Sequence, residues 1–367
     1  MRGTESTGDL TWKEAYHQVV PLMRVDNRKN IRYILLEYSA MVLVLGICSW
    51  SWFAFQQGRL TGLGFFPIAL AGMFAMGALQ HRLSGLAHDA SHYTLFRNKL
   101  ANELASDILL MFPIFAMTQK FRNSHLGHHR FVNDPVMDPD VVRLNAPEPQ
   151  RFPVSPRGFV FRYVVKALWP PSLLRYLFGQ AKGANARVSG GVQDVRAPYR
   201  FRVGRVMRGT YWLSVLTMVH ALHAWPIFFL FWVTPLLTFY PMLMQLREIA
   251  HHSNAPDDGR FTNSRVFFVN PILDACVFPY GQAFHVTHHL FAMLPHHQML
   301  NAHRALMRFP AYRDQVVICR GFFFRTPGTN GPSVVEELAR TPRPGDLLWD
   351  GPPSHRQEVQ EPAIAAV

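Results

Sequence analysis

Three short stretches place histidine at helical spacing: "HDASH" at 88–92, "HLGHH" at 125–129 and "HVTHH" at 285–289. Residues at i, i+3 and i+4 share a helix face, with Cβ atoms about 5–6 Å apart, so each stretch can aim its imidazoles at one point. His88, His92, His125, His128, His129, His285, His288 and His289 are therefore candidate metal ligands. A further stretch, "LREIAHHSN", offers His251 and His252 for a ninth position. Isolated histidines such as His17 and His355 read as half-wet polar residues. Clusters repeating HxxxH, HxxHH and HxxHH do not fit that reading.

Imidazole suits zinc, copper, iron and nickel. One zinc takes three or four protein ligands, so this many histidines suit two metal ions. HExxH is absent, and Cys48, Cys276 and Cys319 lie far from every cluster, which disfavours a zinc protease or an iron–sulfur centre. Redox-active iron fits best. A ligating histidine usually donates its other ring nitrogen to a carboxylate or carbonyl, which makes Asp89, Asp134, Asp138, Glu248 and Asp274 candidates for that role. Asp89 and Glu248, inside a cluster or one turn from one, are favoured as the acidic residues of the site. His81, His220, His223, His296, His297 and His303 read as peripheral.

The elements that must hold these rings are apolar. Hydrophobic residues make up 49% of the 367 and charged residues only 17%, against a usual charged share of about 25%. Residues 33–55 and 61–80 are each long enough to cross a bilayer core, and with the short connection "QQGRL" they form a helical hairpin. Residues 104–118 are apolar but too short to span, so a re-entrant or interfacial segment is expected. Residues 211–246 are too long for one span and hold Pro226 and Pro235, which predicts a second hairpin. The expected fold is all-α and integral to the membrane, with two transmembrane hairpins, about four spans, interfacial helices and a cytoplasmic histidine-rich cap.

The formal net charge of +13 does not signal nucleic acid, because Lys and Arg lie between apolar runs and form no separate basic tail. Residues 156–208 hold eleven of them and one acid, Asp194. The positive-inside rule puts this segment in the cytoplasm, together with the N-terminal segment 1–32 and the C-terminal part. No cleavable signal peptide is expected in the polar first thirty residues. The membrane domain is expected over 33–310, a cytoplasmic extension over 311–340, and a disordered Pro-rich tail over 341–367.

The three histidine boxes in this order, with "SHLGHHRFVNDPVMDPD" and "HHLFAMLPHHQMLNAHRAL" around them, resemble the membrane fatty acid desaturase superfamily of histidine-box di-iron desaturases and hydroxylases. The resemblance covers about residues 33–310. It implies two non-haem irons that use O2 and two electrons to oxidise an unactivated C–H bond, with the eight box histidines as iron ligands. It also implies a ninth histidine before the third box. His252 is favoured there because Glu248 lies one turn earlier on the same face. Many bacterial relatives have Glu-His where this chain has His251-His252, and Asn where it has Ala283. Both differences lie beside the ligands and bear on the type of oxidation.

The expected function is therefore an O2-dependent desaturase of a fatty acyl or lipid chain in a bacterial inner membrane. Hydroxylation or ketolation of an alkyl, carotenoid or small hydrophobic substrate is the alternative. The chain has no GxGxxG fingerprint, clustered cysteines or HPGG segment. Electrons are thus expected from a separate ferredoxin or cytochrome b5-type carrier with an NAD(P)H reductase. A histidine-rich metal transporter or sensor is the rival from another class; it calls for a polar path through the spans, where Glu37, His220 and His223 are the main candidates.

Overall fold

The computed structural model describes residues 10–145, 152–169, 171–172, 197–255 and 259–340. The proposed disordered tail and much of the basic stretch 156–208 fall outside these residues.

Two long helices form the first hairpin. α1 (Trp12–Val19) precedes them, started by a reciprocal capping pair between Thr11 and Glu14. α2 (Asn27–Gln56) begins at the Asp26 cap and α3 (Gly62–Ser91) at the Thr61 cap, with Gly58 in a left-handed turn between them. At 1.5 Å per residue a thirty-residue helix is about 45 Å long, against a hydrocarbon core of about 30 Å. α3 therefore has length to spare, and its last sixteen residues, 76–91, are almost all buried in protein. The sequence placed the end of this span at 80; the helix continues through the first histidine box. Leu35, Leu36, Val42, Leu43 and Trp50 on α2 are exposed, a contiguous apolar face suited to lipid.

α4 (Lys99–Ala105) runs into a wider turn at Ser106–Met111 and a tight one at Phe112–Ile114, where Pro113 removes a backbone donor. α5 (Thr118–Arg130) then leaves at 91° to the preceding helix. Asp107 holds this corner by accepting the Thr118 backbone N–H at 2.7 Å. The stretch 104–118, expected to be re-entrant or interfacial, is thus a sharply bent apolar segment.

α6 (Pro139–Leu144) and α7 (Pro156–Val160) are short. α8 (Phe201–Ala221) and the run formed by α9 (Trp225–Phe228), α10 (Thr234–Leu237) and α11 (Phe239–His252) make the second hairpin. Its turn lies at 222–224, just ahead of Pro226, and Pro235 sits near the start of α10 without breaking the run. Residues 211–246 do not supply two full spans. α8 starts ten residues earlier and brings Arg202, Arg205 and Arg208 into its first turns. Among the described residues, three helices are long and apolar enough to cross a membrane: 27–56, 62–91 and 225–252; the bent 99–130 pair would make four.

α3 and α11 meet closely because Gly77 has no side chain: a Cβ there would lie 2.5 Å from that of Phe239. This contact brings the two box-bearing helix ends toward one place.

The C-terminal part is not purely helical. β1 (Arg265–Phe268) and β2 (Val317–Arg320) form a parallel two-stranded sheet, Arg265 opposite Val317 and Phe268 opposite Arg320. Both segments are rich in β-branched or aromatic residues, and the all-α expectation is corrected to this extent. Around the sheet lie α12 (Pro271–Val277), α13 (His285–Leu290), α14 (Met299–Leu306), α15 (Pro310–Arg313) and α16 (Val334–Leu338). The segment expected as an extension, 311–340, joins this core: Cys319, Phe322, Val334 and Leu338 are buried in one cluster with Phe267 and Phe278.

Candidate metal centre

Four helix ends meet at the site. α3 brings His88 and, at its C-cap, His92; α5 brings His125, His128 and His129; α11 ends in His251 and His252; α13 carries His285, His288 and His289. The rings gather around two points. One group is His88, His92, His125 and His288, the other His128, His252, His285 and His289, and within each group the ligand atoms all lie within 4.8 Å of one another.

The sequence expectation that each box aims at a single point is corrected here. On α5, His125 and His129 face the first group while His128 faces the second. On α13 the roles reverse: His285 and His289 face the second group and His288 the first. At 3.6 residues per turn, positions i and i+4 differ by about 40°, whereas i+3 and i+4 differ by about 100°. An HxxHH box is therefore built to straddle two sites. His129 completes the first: its Nε2 lies 3.1 Å from that of His125 and 2.9 Å from that of His288.

These spacings match shared metal coordination. In the second group, the Nε2 atoms of His285 and His252 are 2.9 Å apart, those of His289 and His285 3.1 Å, and those of His128 and His289 3.3 Å. Nitrogens held about 2.0–2.1 Å from one ion lie roughly 2.9–3.4 Å apart at octahedral to tetrahedral angles. Burial, with neighbouring imidazoles adding to it, pushes His285, His288 and His289 well below the usual histidine range. A cation between the converging Nε2 atoms would accommodate all of them at once. The Nε2 atoms of His88 and His92 are buried and have no hydrogen-bond partner. An unpaired buried nitrogen is costly, and a metal ion would satisfy both. The residues present fit two metal ions.

The outer contacts fix ring orientation. His128 donates from Nδ1 to Asp138, at 2.8 and 2.9 Å to the two carboxylate oxygens, leaving the Nε2 lone pair for metal. Asp138 is itself held by the Asn133 and Asp140 backbone N–H groups. His252 donates from Nδ1 to the Asn263 carbonyl at 3.2 Å. His251 stands outside both groups, donating from Nε2 to the Gln282 carbonyl at 3.0 Å and stacking on His285 with ring centroids 3.8 Å apart.

The two favoured acids lie elsewhere. Asp89 accepts from the backbone N–H and ring Nδ1 of His296, at 3.0 and 2.8 Å, and so ties the loop after α13 to α3. Glu248 pairs with Arg143 and, at 3.2 Å, with Arg247, rather than with His252. Asp134 caps its own loop through Val136 and Met137, and Asp274 lies in the first turn of α12. Among the described residues, Asp138 is the carboxylate that hydrogen-bonds a box histidine. Its signal was the Asp-Pro pair ten residues after His128, which also reads as a simple helix cap.

The peripheral histidines separate as well. His81 donates to the Cys276 carbonyl and His303 pairs with Tyr312. His296, which follows Pro295, is buried and paired with Asp89. Glu37 forms no open polar path: it is closed by Arg82 at 2.6 Å and by Tyr280.

A polar cavity abuts both groups. Its wall includes His88 and His125 from the first, His128, His252 and His285 from the second, and the charged side chains of Asp140, Arg143, Arg247 and Glu248.

A bundle of helices long and apolar enough to cross a membrane thus ends in two four-histidine groups that could each hold a metal ion. The family model "Fatty acid desaturase" matches residues 63–321, which contain every box, and the chain belongs to that family. It is also similar to the dihydrorhizobitoxine desaturase of Bradyrhizobium elkanii, with 26% identity over 331 residues, covering 86% of each chain.

Proposed function

We propose that this protein is an O2-dependent, non-haem di-iron membrane desaturase acting on an aliphatic carbon chain. The observation that carries the reading is the pair of four-histidine groups interleaved by two HxxHH helices. Family membership supports an oxidation of this type, and the desaturase named above favours desaturation over hydroxylation or ketolation. A fatty acyl or lipid chain is the substrate class that the family brings to the reading. The overall change takes two hydrogens from adjacent carbons: R–CH2–CH2–R′ + O2 + 2e⁻ + 2H⁺ gives R–CH=CH–R′ + 2H2O.

His88, His92, His125, His129 and His288 would hold one iron, and His128, His252, His285 and His289 the other. Bound iron supplies activation of O2 and removal of hydrogen from an unactivated carbon. The protein's own part is to orient and shield. Asp138 and the Asn263 carbonyl keep the Nε2 lone pairs of His128 and His252 turned inward, and Asp89 anchors the loop behind the third box. Burial excludes water from the rings and pushes His285, His288 and His289 below the usual histidine range, whereas the Asp138 carboxylate raises His128 despite its burial. Electrons come from a separate ferredoxin or cytochrome b5-type carrier fed by an NAD(P)H reductase. The histidine-bearing ends and both termini face the cytoplasm of a bacterial inner membrane, following the positive-inside rule.

The test is expression of wild type and His288→Ala in a host, with metal analysis and untargeted product profiling. The reading expects iron in the wild type and a product two hydrogens lighter only there. A product one oxygen heavier would move the assignment to hydroxylation, and zinc without iron would sink it.

A further inference from the structure

The helical segment 156–168 has one packed face and one open face. It starts at the Ser155 cap as α7, widens at Phe161–Val165 and tightens again at Lys166–Leu168. Phe159 and Tyr163 turn inward and are buried in one cluster with Met242, Leu243 and Leu246 of α11. Phe161, Val165 and Leu168 follow one another at i, i+4 and i+7, which puts them on a common face. That face is exposed among the described residues, Phe161 by 56%, Val165 by 55% and the adjoining Trp169 by 62%. A contiguous apolar surface of this kind is unfavourable in water.

Charge and depth indicate what covers it. Arg157, Arg162 and Lys166 are exposed along the same segment, and residues 152–169 contain no Asp or Glu. On α16, which packs against α7, Glu336 pairs with Arg325 and Glu337 with Arg340, so neither acid offsets these cations directly. The Lys166 ammonium lies 5.4 Å from the centre of the Phe161 ring, joining the cationic and apolar faces. Gly77, which meets Phe239, is fifteen residues along α3 from Gly62, or about 22 Å. Met242 and Leu246 lie one and two turns beyond Phe239 on α11, so the segment sits near the edge of a hydrocarbon core about 30 Å thick. Helices with Lys and Arg beside Trp, Phe and Leu settle in the plane of a bilayer interface and favour anionic lipid. An acidic protein would suit the charge alone, but a carrier that comes and goes would leave the apolar residues in water between visits.

We propose that residues 156–169 form an in-plane anchor for anionic phospholipid in the leaflet at the histidine-bearing end. Phe161, Val165, Leu168 and Trp169 enter the acyl boundary, and Arg157, Arg162 and Lys166 take lipid phosphates. This goes beyond the desaturase reading and does not depend on it.

The test places the full chain, wild type and Trp169→Phe, in nanodiscs of phosphatidylcholine with a minority of phosphatidylglycerol, or the reverse, with bromine on the acyl chains of the minority lipid. Bromine quenches tryptophan on contact, and the difference between the two chains isolates Trp169. Brominated phosphatidylglycerol should quench Trp169 about twofold or more above the same share of brominated phosphatidylcholine, and the excess should shrink as salt rises. Arg157→Gln, Arg162→Gln and Lys166→Gln together should bring the two lipids level. If that triple variant fails to fold, Arg162→Gln with Lys166→Gln decides. Absence of quenching by either lipid means that protein or solvent meets this face, and overturns the proposal. Equal quenching by both lipids in wild type, or an excess unchanged in the variants, removes the anionic selection and overturns it as well.

Discussion

Asp138 Oδ2 lies 2.8 Å from Nδ1 of His128, both side chains being almost wholly buried. One helix cap thus doubles as the orienting partner of a ring whose other nitrogen faces the second histidine group. Outer carboxylates of this kind typically change metal affinity by about 10–100-fold. Asp138→Ala should weaken the metal by that order and reduce occupancy at the His128 group. Competition of the loaded protein against a chelator measures it, and an unchanged affinity would remove Asp138 from the site.

The adjacent histidines at the end of α11 should behave differently. His252 sits in a ligand group, whereas His251 stacks on His285 and donates to a backbone carbonyl. His252→Ala is expected to lose about one of two metals, because a four-ligand site drops below its preferred number. His251→Phe keeps the stack and should retain both. Metal content of the two purified variants separates these outcomes, and equal loss in both would contradict the assignment.

Arg122 and Glu103 form a buried ion pair at 2.5 Å, and Arg122 also donates to the carbonyls of Ala90 and Ser91 at the end of α3. Leaving one charge unpaired in such a setting costs about 3–5 kcal/mol. Arg122→Leu should therefore destabilise the fold by that order and loosen the first box, while Arg122→Leu with Glu103→Leu should recover part of the loss. Unfolding of the detergent-solubilised chain checks this; a double variant no more stable than Arg122→Leu would deny that the unpaired carboxylate causes the cost.

His303 gives a pH dependence outside the metal groups. Burial, with Arg304 and Arg320 adding to it, lowers its ring from an ordinary 6.5 to about 4. The unfolded chain then binds a proton that the folded chain refuses, so stability is full above the ordinary histidine range and falls as pH drops from about 6.5 toward 4. The contribution is on the order of 3 kcal/mol. His303→Gln should flatten that part of the stability profile, read as Tm of variant and wild type across pH 4–7; parallel profiles would refute it.

Much of the site was legible because helical spacing is local. His88 and His92, or His125 and His129, need only one helix to be seen as neighbours. The division of each HxxHH box between two sites was not legible, since it depends on a second focus that only another helix supplies. For the same reason Glu248 was paired with His252 on its own helix, although Arg143 on α6 and Arg247 capture it. Asp138 looked like a cap and is one; that it also meets His128 depends on how 131–138 folds back. The β1–β2 pair joins segments far apart in sequence, and neither four-residue strand could be recognised without its partner. The start of α8 was missed because its arginines interrupt the apolar run that marked the hairpin.

The central claim is that the interleaved histidines hold two redox metal ions. Metal analysis of the full chain, purified from iron-supplemented cells, tests it most directly, alongside His88→Ala and His285→Ala prepared in the same way. The account predicts about two irons per wild-type chain and about one in His285→Ala, whose group falls to three histidines, while His88→Ala keeps four and should hold its iron more weakly. Zinc in place of iron, a single metal per wild-type chain, or simultaneous loss of both metals from either variant would contradict it.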